Sequence, residues 1–216
     1  MNVAFLFDMD GVIIDSNPFH KIALKRFCKK YGYDLTEEQL REKIYGRTNT
    51  DWITNVFGKL ETAQLRSYGD EKEALFRELY DRDIKPVDGL IDFLKRMDEQ
   101  GIPRAIATSA PRANVDFTLA KTGVGKYFQT ILDESFVSKG KPDPEIYLKT
   151  AKALNFDPRN CVVFEDSLSG VKAGKAAGCK VVGITTTHTR EELSETDLVI
   201  NNFVDLNPEN LADLWH

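Results

Sequence analysis

No run of apolar residues in this sequence approaches the roughly 18 needed to cross a bilayer, because charged residues interrupt every candidate. Cysteine is scarce: Cys28, Cys161 and Cys179 form no C-x-x-C pair, and an odd count suits reduced thiols that pack as small hydrophobes. A reducing, cytoplasmic setting is therefore expected. Histidine is equally sparse, and His20, His188 and His216 lack the spacing of zinc ligands. Positive charge is in deficit, with 29 Lys plus Arg against 34 Asp plus Glu and a net charge of −5. That balance argues against a nucleic-acid binder, which would need a basic face. It leaves small anionic ligands open, since one lysine or metal ion can invert the field inside a cleft. No basic leader with a cleavage site precedes the first apolar run, so no secretory signal is expected. Repeats and low-complexity tracts are missing too, and 42% hydrophobic with 29% charged residues is the composition of a globular protein.

What the sequence does contain is alternation. "VAFLF" (3–7), "PRAIAT" (103–108), "CVVFED" (161–166) and "KVVGIT" (180–185) read as strands buried on both faces. Between them, "DGLIDFLKRMDEQG" (88–101), "RANVDFTLAKTG" (112–123) and "PEIYLKTAKALN" (144–155) read as amphipathic helices, with Asp88 and Asp143 as suitable starts. Such alternation implies β-α-β units, hence an α/β fold with a Rossmann-like parallel sheet and helices on both faces. The small-residue helix "GVKAGKAAG" (170–178) is expected to pack closely on that sheet. Residues 17–82 break the rhythm with consecutive helical patterns and no strand. They are read as an all-helical domain inserted after the first strand, leaving residues 1–16 and 83–216 as the core. The linkers fall near Ser16–Pro18 and Ile84–Pro86, an arrangement that permits hinge motion.

In open α/β sheets, ligands bind beyond the carboxyl ends of the strands. The residues in that place are Asp8 and Asp10 after the first strand, Thr108 and Ser109 after the second, and Glu165 and Asp166 after another. Lys141 lies in the loop "SKGKPDP". Each acid alone is an ordinary turn former; their joint occurrence is what carries information. Three or four carboxylates around one space would raise their own pKa values and open the structure. A hard divalent cation relieves that repulsion, and Mg²⁺ commonly uses one or two carboxylates, waters and a substrate phosphate. Lys141 and the Thr108 hydroxyl add a positive charge and a hydrogen bond suited to phosphoryl oxygens.

Rival motifs fail on particular residues. "DMDGVIID" begins like a calcium loop, but Val12 and Ile13 occupy ligand and glycine positions. In "KGKPDP" the Gly-Lys pair is followed by Pro142, not by Ser or Thr, so it is no P-loop. "GVGKYF" lacks the third glycine of a dinucleotide fingerprint, and no G-x-S-x-G elbow is present.

"FDMDGVIIDS", "ATSAP", "GKPDPEIY" and "VVFEDSLSGVKAGKAAG" together resemble, in order and spacing, the four motifs of the haloacid-dehalogenase-like superfamily. The helical insert resembles that of its β-phosphoglucomutase and sugar-phosphate phosphatase group. The resemblance implies that Asp8 attacks phosphorus to give an aspartyl-phosphate and that Asp10 shuttles the proton. It implies Mg²⁺ held by the Asp8 carboxylate, the Asp10 carbonyl and Asp166, with Glu165 close by or directly bound. Gly11, Thr108, the Ser109 amide and Lys141 would grip the phosphoryl group, and the insert would be a cap that closes over substrate.

The same resemblance leaves the reaction open. His20 matches the mutase's hinge histidine in spacing, whereas Arg47 is displaced from its phosphate-binding arginine. Pro111 and Arg112 stand where the mutase carries lysine and asparagine. These departures favour a phosphatase on a small phosphorylated metabolite, with Arg47, Asn49, His20 and Arg112 as candidate substrate contacts and a monomer as the expected state. β-Phosphoglucomutase is the alternative on the same scaffold. A phospho-acceptor signalling domain is the alternative of another class, opposed by Asp10 as a second proton carrier and by the large insert.

Overall fold

The computed structural model describes residues 3–45, 47–204 and 206–215. The chain divides into two compact units, residues 1–15 with 84–216 and residues 16–83. Each junction falls one residue from the position read from the sequence.

The elements, in chain order, begin with β1 (Ala4–Phe7), α1 (Asn17–Lys30), α2 (Glu37–Lys43), α3 (Asn49–Phe57) and α4 (Thr62–Tyr80). They continue with α5 (Leu90–Glu99), β2 (Arg104–Ala107), α6 (Arg112–Thr122), β3 (Thr130–Leu132) and α7 (Glu145–Ala153). The remainder are β4 (Cys161–Glu165), α8 (Leu168–Ala176), β5 (Lys180–Ile184) and β6 (Leu198–Ile200). Among the described residues, six strands form one sheet in the order β3-β2-β1-β4-β5-β6, every pair parallel. The chain first builds outward from β1 to β3 and then returns to lay β4 on the other side of β1. The order reverses beside β1, which opens a crevice at that strand's carboxyl end.

Strand alternation sorts the core of this unit. Phe5 and Phe7 point to one face, where they meet Phe93, Phe164 and Phe203; the Phe7 and Phe164 rings stack at 4.6 Å. Ala4 and Leu6 point to the other, packing with Val163, Val181, Tyr147 and Ala173. The small-residue helix α8 lies close to the strands: a Cβ at Gly174 would be 2.9 Å from a Val181 methyl and 3.4 Å from Val163. Close packing against the sheet is thus the use of that stripe.

The helical unit has its own core of Leu24, Phe27, Leu40, Ile44, Trp52, Ile53 and Val56. Its helices start on local signals. Pro18 occupies the first turn of α1, where a missing N–H costs nothing. Thr36 and Gln39 form a reciprocal capping box on α2, and the Thr48 hydroxyl caps α3 by accepting from the Asp51 N–H.

Three features differ from the sequence reading. β3 and β6 are strands of three residues each, too short to show a period. The last helical pattern of the insert, "DEKEALFRELYDRD" (70–83), is preceded in the structure by further helix: α4 begins at Thr62 and runs through Gly69, where an added Cβ would meet Asn49 at an ordinary 3.6 Å. The helix starts expected at Asp88 and Asp143 fall one residue later, on Gly89 and Pro144; Asp143 still accepts the Glu145 N–H at 3.0 Å. Gly89 has φ +80°, and any Cβ there would overlap the Val204 nitrogen and the Phe203 carbonyl carbon. Both the left-handed backbone and the close approach exclude a side chain. Gly89→Ala is expected to destabilise the protein by roughly 2 kcal/mol or more. Urea unfolding measures this, and a change within a few tenths of a kcal/mol would contradict it.

Candidate active site

The crevice beside β1 is lined by the ends of three neighbouring strands. Asp8 follows β1, and its backbone N–H donates to the Phe164 carbonyl on β4 at 3.0 Å, so the two strand ends stay in register. Glu165 ends β4 and Asp166 follows it; Asp8, Glu165 and Asp166 are 8%, 0% and 2% exposed. Carboxylate oxygens of all three lie within 4.8 Å of one another. Lys141, brought in by the loop before α7, donates through Nζ to Asp8 Oδ1 at 2.7 Å, to Glu165 Oε1 at 2.6 Å and to the Ala107 carbonyl at 3.3 Å. The last contact ties it to the end of β2, where Thr108 is buried and its hydroxyl accepts the Ala110 N–H at 3.0 Å. That leaves the hydroxyl proton pointing elsewhere as a donor. Ser109, next in the chain, is exposed.

Glu165 is committed to its surroundings. Its Oε1 accepts from Lys141 and from the Tyr147 hydroxyl at 2.6 Å, and its Oε2 accepts from the Asp166 N–H, the Ser167 N–H and the Ser167 hydroxyl. Both oxygens are saturated by donors, which fits Glu165 to holding Lys141 and the turn into α8. Gly170 on α8 lies so close that a side chain there would overlap the Glu165 carboxylate. The Lys141 ammonium also lies over the Tyr147 ring, 4.9 Å from its centre.

Asp8 and Glu165 share the Lys141 ammonium with Asp166 beside them, and the titration behaviour follows. Burial pushes Asp8 up to about 7, with Lys141 opposing and Glu165 and Asp10 reinforcing. Asp166 is driven well above the usual range by burial and by the charges of Glu165 and Asp8. Glu165 goes the other way: burial alone would raise it, but Lys141, Tyr147 and Ser167 together hold it low. Lys141 is raised, because the two carboxylates outweigh the cost of burying an ammonium. An all-oxygen, buried and over-negative cluster is a donor set that fits a small hard dication. Asp8 and Asp166, whose pKa values burial and neighbouring charge raise, are the acids that such an ion would relieve most.

The other candidates are placed as follows. Asp10 is half-buried, and its charge reaches both Asp8 and Asp166. Gly11 has φ +78°, and its N–H donates to the Ile14 carbonyl at 2.7 Å. Its glycine is accounted for by a tight backbone loop rather than by an amide offered to a ligand. Arg112 pairs through Nε with Asp116 at 2.9 Å and reaches toward Asp133 at 3.8 Å. In the helical unit, His20 stacks on Phe76 at 3.6 Å between ring centres and lies 3.5 Å from Lys72 Nζ. Asn49 donates to Glu73 at 3.0 Å and accepts from the Trp52 ring N–H at 2.8 Å. Arg47 donates to the Glu42 carbonyl at 2.9 Å. Gly46, next to Arg47, and His216 lie outside the described residues.

Sequence reasoning passed over Tyr147, Thr186 and Thr187. Tyr147 stood inside a quoted motif and reads there as a core aromatic. Thr187 donates to Asp166 Oδ2 and Thr186 to the Gly11 carbonyl. Their signal was position: both follow β5 at the same sheet edge as the acids.

The chain belongs to the haloacid dehalogenase-like hydrolase family, whose pattern it matches over residues 5–184. It is similar to a phosphorylated carbohydrates phosphatase of Thermotoga maritima, 36% identical over 180 residues and 81% of each chain. It is also 33% identical, over 94% of its length, to a bifunctional riboflavin kinase/FMN phosphatase of Arabidopsis thaliana, and spans about half (54%) of that longer protein. Among solved structures, a family IA hydrolase from Entamoeba histolytica superposes with a TM-score of 0.92 at 34% identity, covering 98% of both chains.

In the metal-free protein the native state keeps the Asp8 proton up to about pH 7, while the unfolded chain releases it near 3.8. The native state therefore binds more protons across that window, and stability falls as pH rises through it. A dication that replaces the proton removes the penalty. Millimolar Mg²⁺ is expected to raise the melting temperature more at pH 8 than at pH 5. Equal increments at both pH values, read by differential scanning fluorimetry, would contradict this.

Proposed function

We propose that the protein is a magnesium-dependent phosphatase that hydrolyses a small phosphorylated metabolite, with sugar phosphates as the first class to test, through an aspartyl-phosphate on Asp8. The observation that supports this reading is Lys141 bridging Asp8 and Glu165 at the reversal point of the sheet, with Asp166 in the same cluster. The family membership and the phosphatases among its relatives point the same way.

Asp8 presents an oxygen to phosphorus in line with the leaving group, and the bond to the substrate oxygen breaks as the acyl phosphate forms. Asp10 gives its proton to the departing alkoxide. It then takes one from the water that attacks the same phosphorus, releasing phosphate and restoring the Asp8 carboxylate. Lys141 and the Thr108 hydroxyl hold the phosphoryl oxygens, and Glu165 keeps Lys141 aimed at them. Bound by the Asp8 and Asp166 carboxylates and the Asp10 carbonyl, Mg²⁺ would supply the charge that lets a phosphate dianion approach an anionic nucleophile.

The helical unit is proposed as the source of substrate selectivity, through Arg47, Asn49 and His20; this rests on where it is inserted in the sequence and on the resemblance. A cytoplasmic location and a monomeric state belong to the same proposal and rest on composition.

A panel of phosphorylated metabolites with Mg²⁺ is expected to give phosphate release over many turnovers for at least one sugar or polyol phosphate. Isomerisation of glucose 1-phosphate without release would favour the mutase, and a single turnover a phospho-acceptor switch. Asp8→Asn should lose activity by roughly 10⁴-fold or more while keeping its circular dichroism spectrum; a variant that still turns over would remove Asp8 from the nucleophile's role.

A further inference from the structure

Three consecutive threonines follow β5, and each sends its hydroxyl to a different part of the same unit. Thr185 donates to the Asn201 side chain at 3.0 Å, Thr186 to the Gly11 carbonyl at 2.6 Å, and Thr187 to Asp166 Oδ2. Two of the three therefore end on the two segments that carry the acids, the loop after β1 and the turn after β4. We propose that Thr186 and Thr187 form a hydroxyl clamp in which Thr187 is a positioning residue for Asp166, fixing the carboxylate in the orientation that binds the divalent ion.

The physical need is specific. Asp166 is 2% exposed and faces the charges of Glu165 and Asp8, so repulsion works to rotate its carboxylate out of the cluster. A hydroxyl donor on one oxygen opposes that rotation and sets the plane of the group toward the site. Thr187 itself is exposed to solvent, so its body adds little to the core, and replacing its hydroxyl removes the donor to Asp166. Thr186 acts on the partner segment: its bond to the Gly11 carbonyl ties the β5 loop to the loop that carries Asp8 and Asp10. The clamp holds the spacing between the two sets of oxygen ligands. Groups that orient metal ligands in this way typically contribute roughly 10- to 100-fold in metal affinity.

This inference rests on the metal-dependent reading above, and the test separates the two. Mg²⁺ binding to the full chain is measured by isothermal titration calorimetry without substrate, for wild type, Thr187→Val, Thr187→Ser and Asp166→Asn, with circular dichroism to verify folding. Thr187→Val keeps the shape and removes the donor. It is expected to weaken Mg²⁺ binding about 10-fold or more and to recover most of its kcat at saturating Mg²⁺. Thr187→Ser restores the hydroxyl and should bind within about twofold of wild type. A Thr187→Val protein with wild-type affinity beside an Asp166→Asn protein that has lost binding would overturn the clamp and leave the metal site standing. An Asp166→Asn protein that binds like wild type would overturn the metal reading itself. Should Thr187→Val fail to fold, Thr187→Ser decides: a rescued fold with 10-fold weakened binding would also count against a role carried by the hydroxyl.

Discussion

The Lys141 ammonium, held between carboxylates from two adjacent strands, is the interaction on which the rest of the site depends. Asp8 and Glu165 stand 2.7 and 2.6 Å from it, at the ends of β1 and β4. Burying either acid without a partner would be costly, and burying both beside Asp166 would be more so. One cation cannot balance three anions. Glu165, which also receives Tyr147 and the turn into α8, takes the larger share of compensation, while Asp8 and Asp166 are left short. The site is therefore built with a deficit of positive charge on Asp8 and Asp166, one that a bound dication would offset.

The parallel sheet is what makes such crowding affordable in chain terms. Lys141 and Asp8 are far apart in sequence, yet the order of strands places the loop before α7, the end of β1 and the end of β4 at one edge. Tight backbone at Gly11 and close packing at Gly170 then fix that edge without filling it. Polar groups close to the acids are assigned to one another in a definite sequence: Tyr147 to Glu165, Glu165 to Lys141, Thr187 to Asp166. This is rigid positioning rather than adaptable contact.

Much of this was legible in the residues, and the gaps have physical reasons. β1, β2, β4 and β5 are buried on both faces, so their apolar runs are unbroken; "TIL" and "LVI" are too short to differ from loop. Asp88 looked like a helix cap because its side chain suits one, but the backbone turns through Gly89, whose neighbours come from a distant segment. The acids and Lys141 could be found because charge at a strand end is conspicuous. Tyr147 could not, since an aromatic on a helix looks the same whatever it touches; Thr187 carried only the signal of its position after β5. Arg47 keeps donors to spare, since a guanidinium carries five and one of them goes to the Glu42 carbonyl.

The contact between α8 and Glu165 binds two positions of the sequence into one decision. A larger residue at 170 would displace the acid at 165, and a shorter acid at 165 would leave a hole where the helix approaches. Neither can drift alone. A side chain at 170 is therefore expected to be accepted only together with a change at 165, so the two positions act as one unit of the packing.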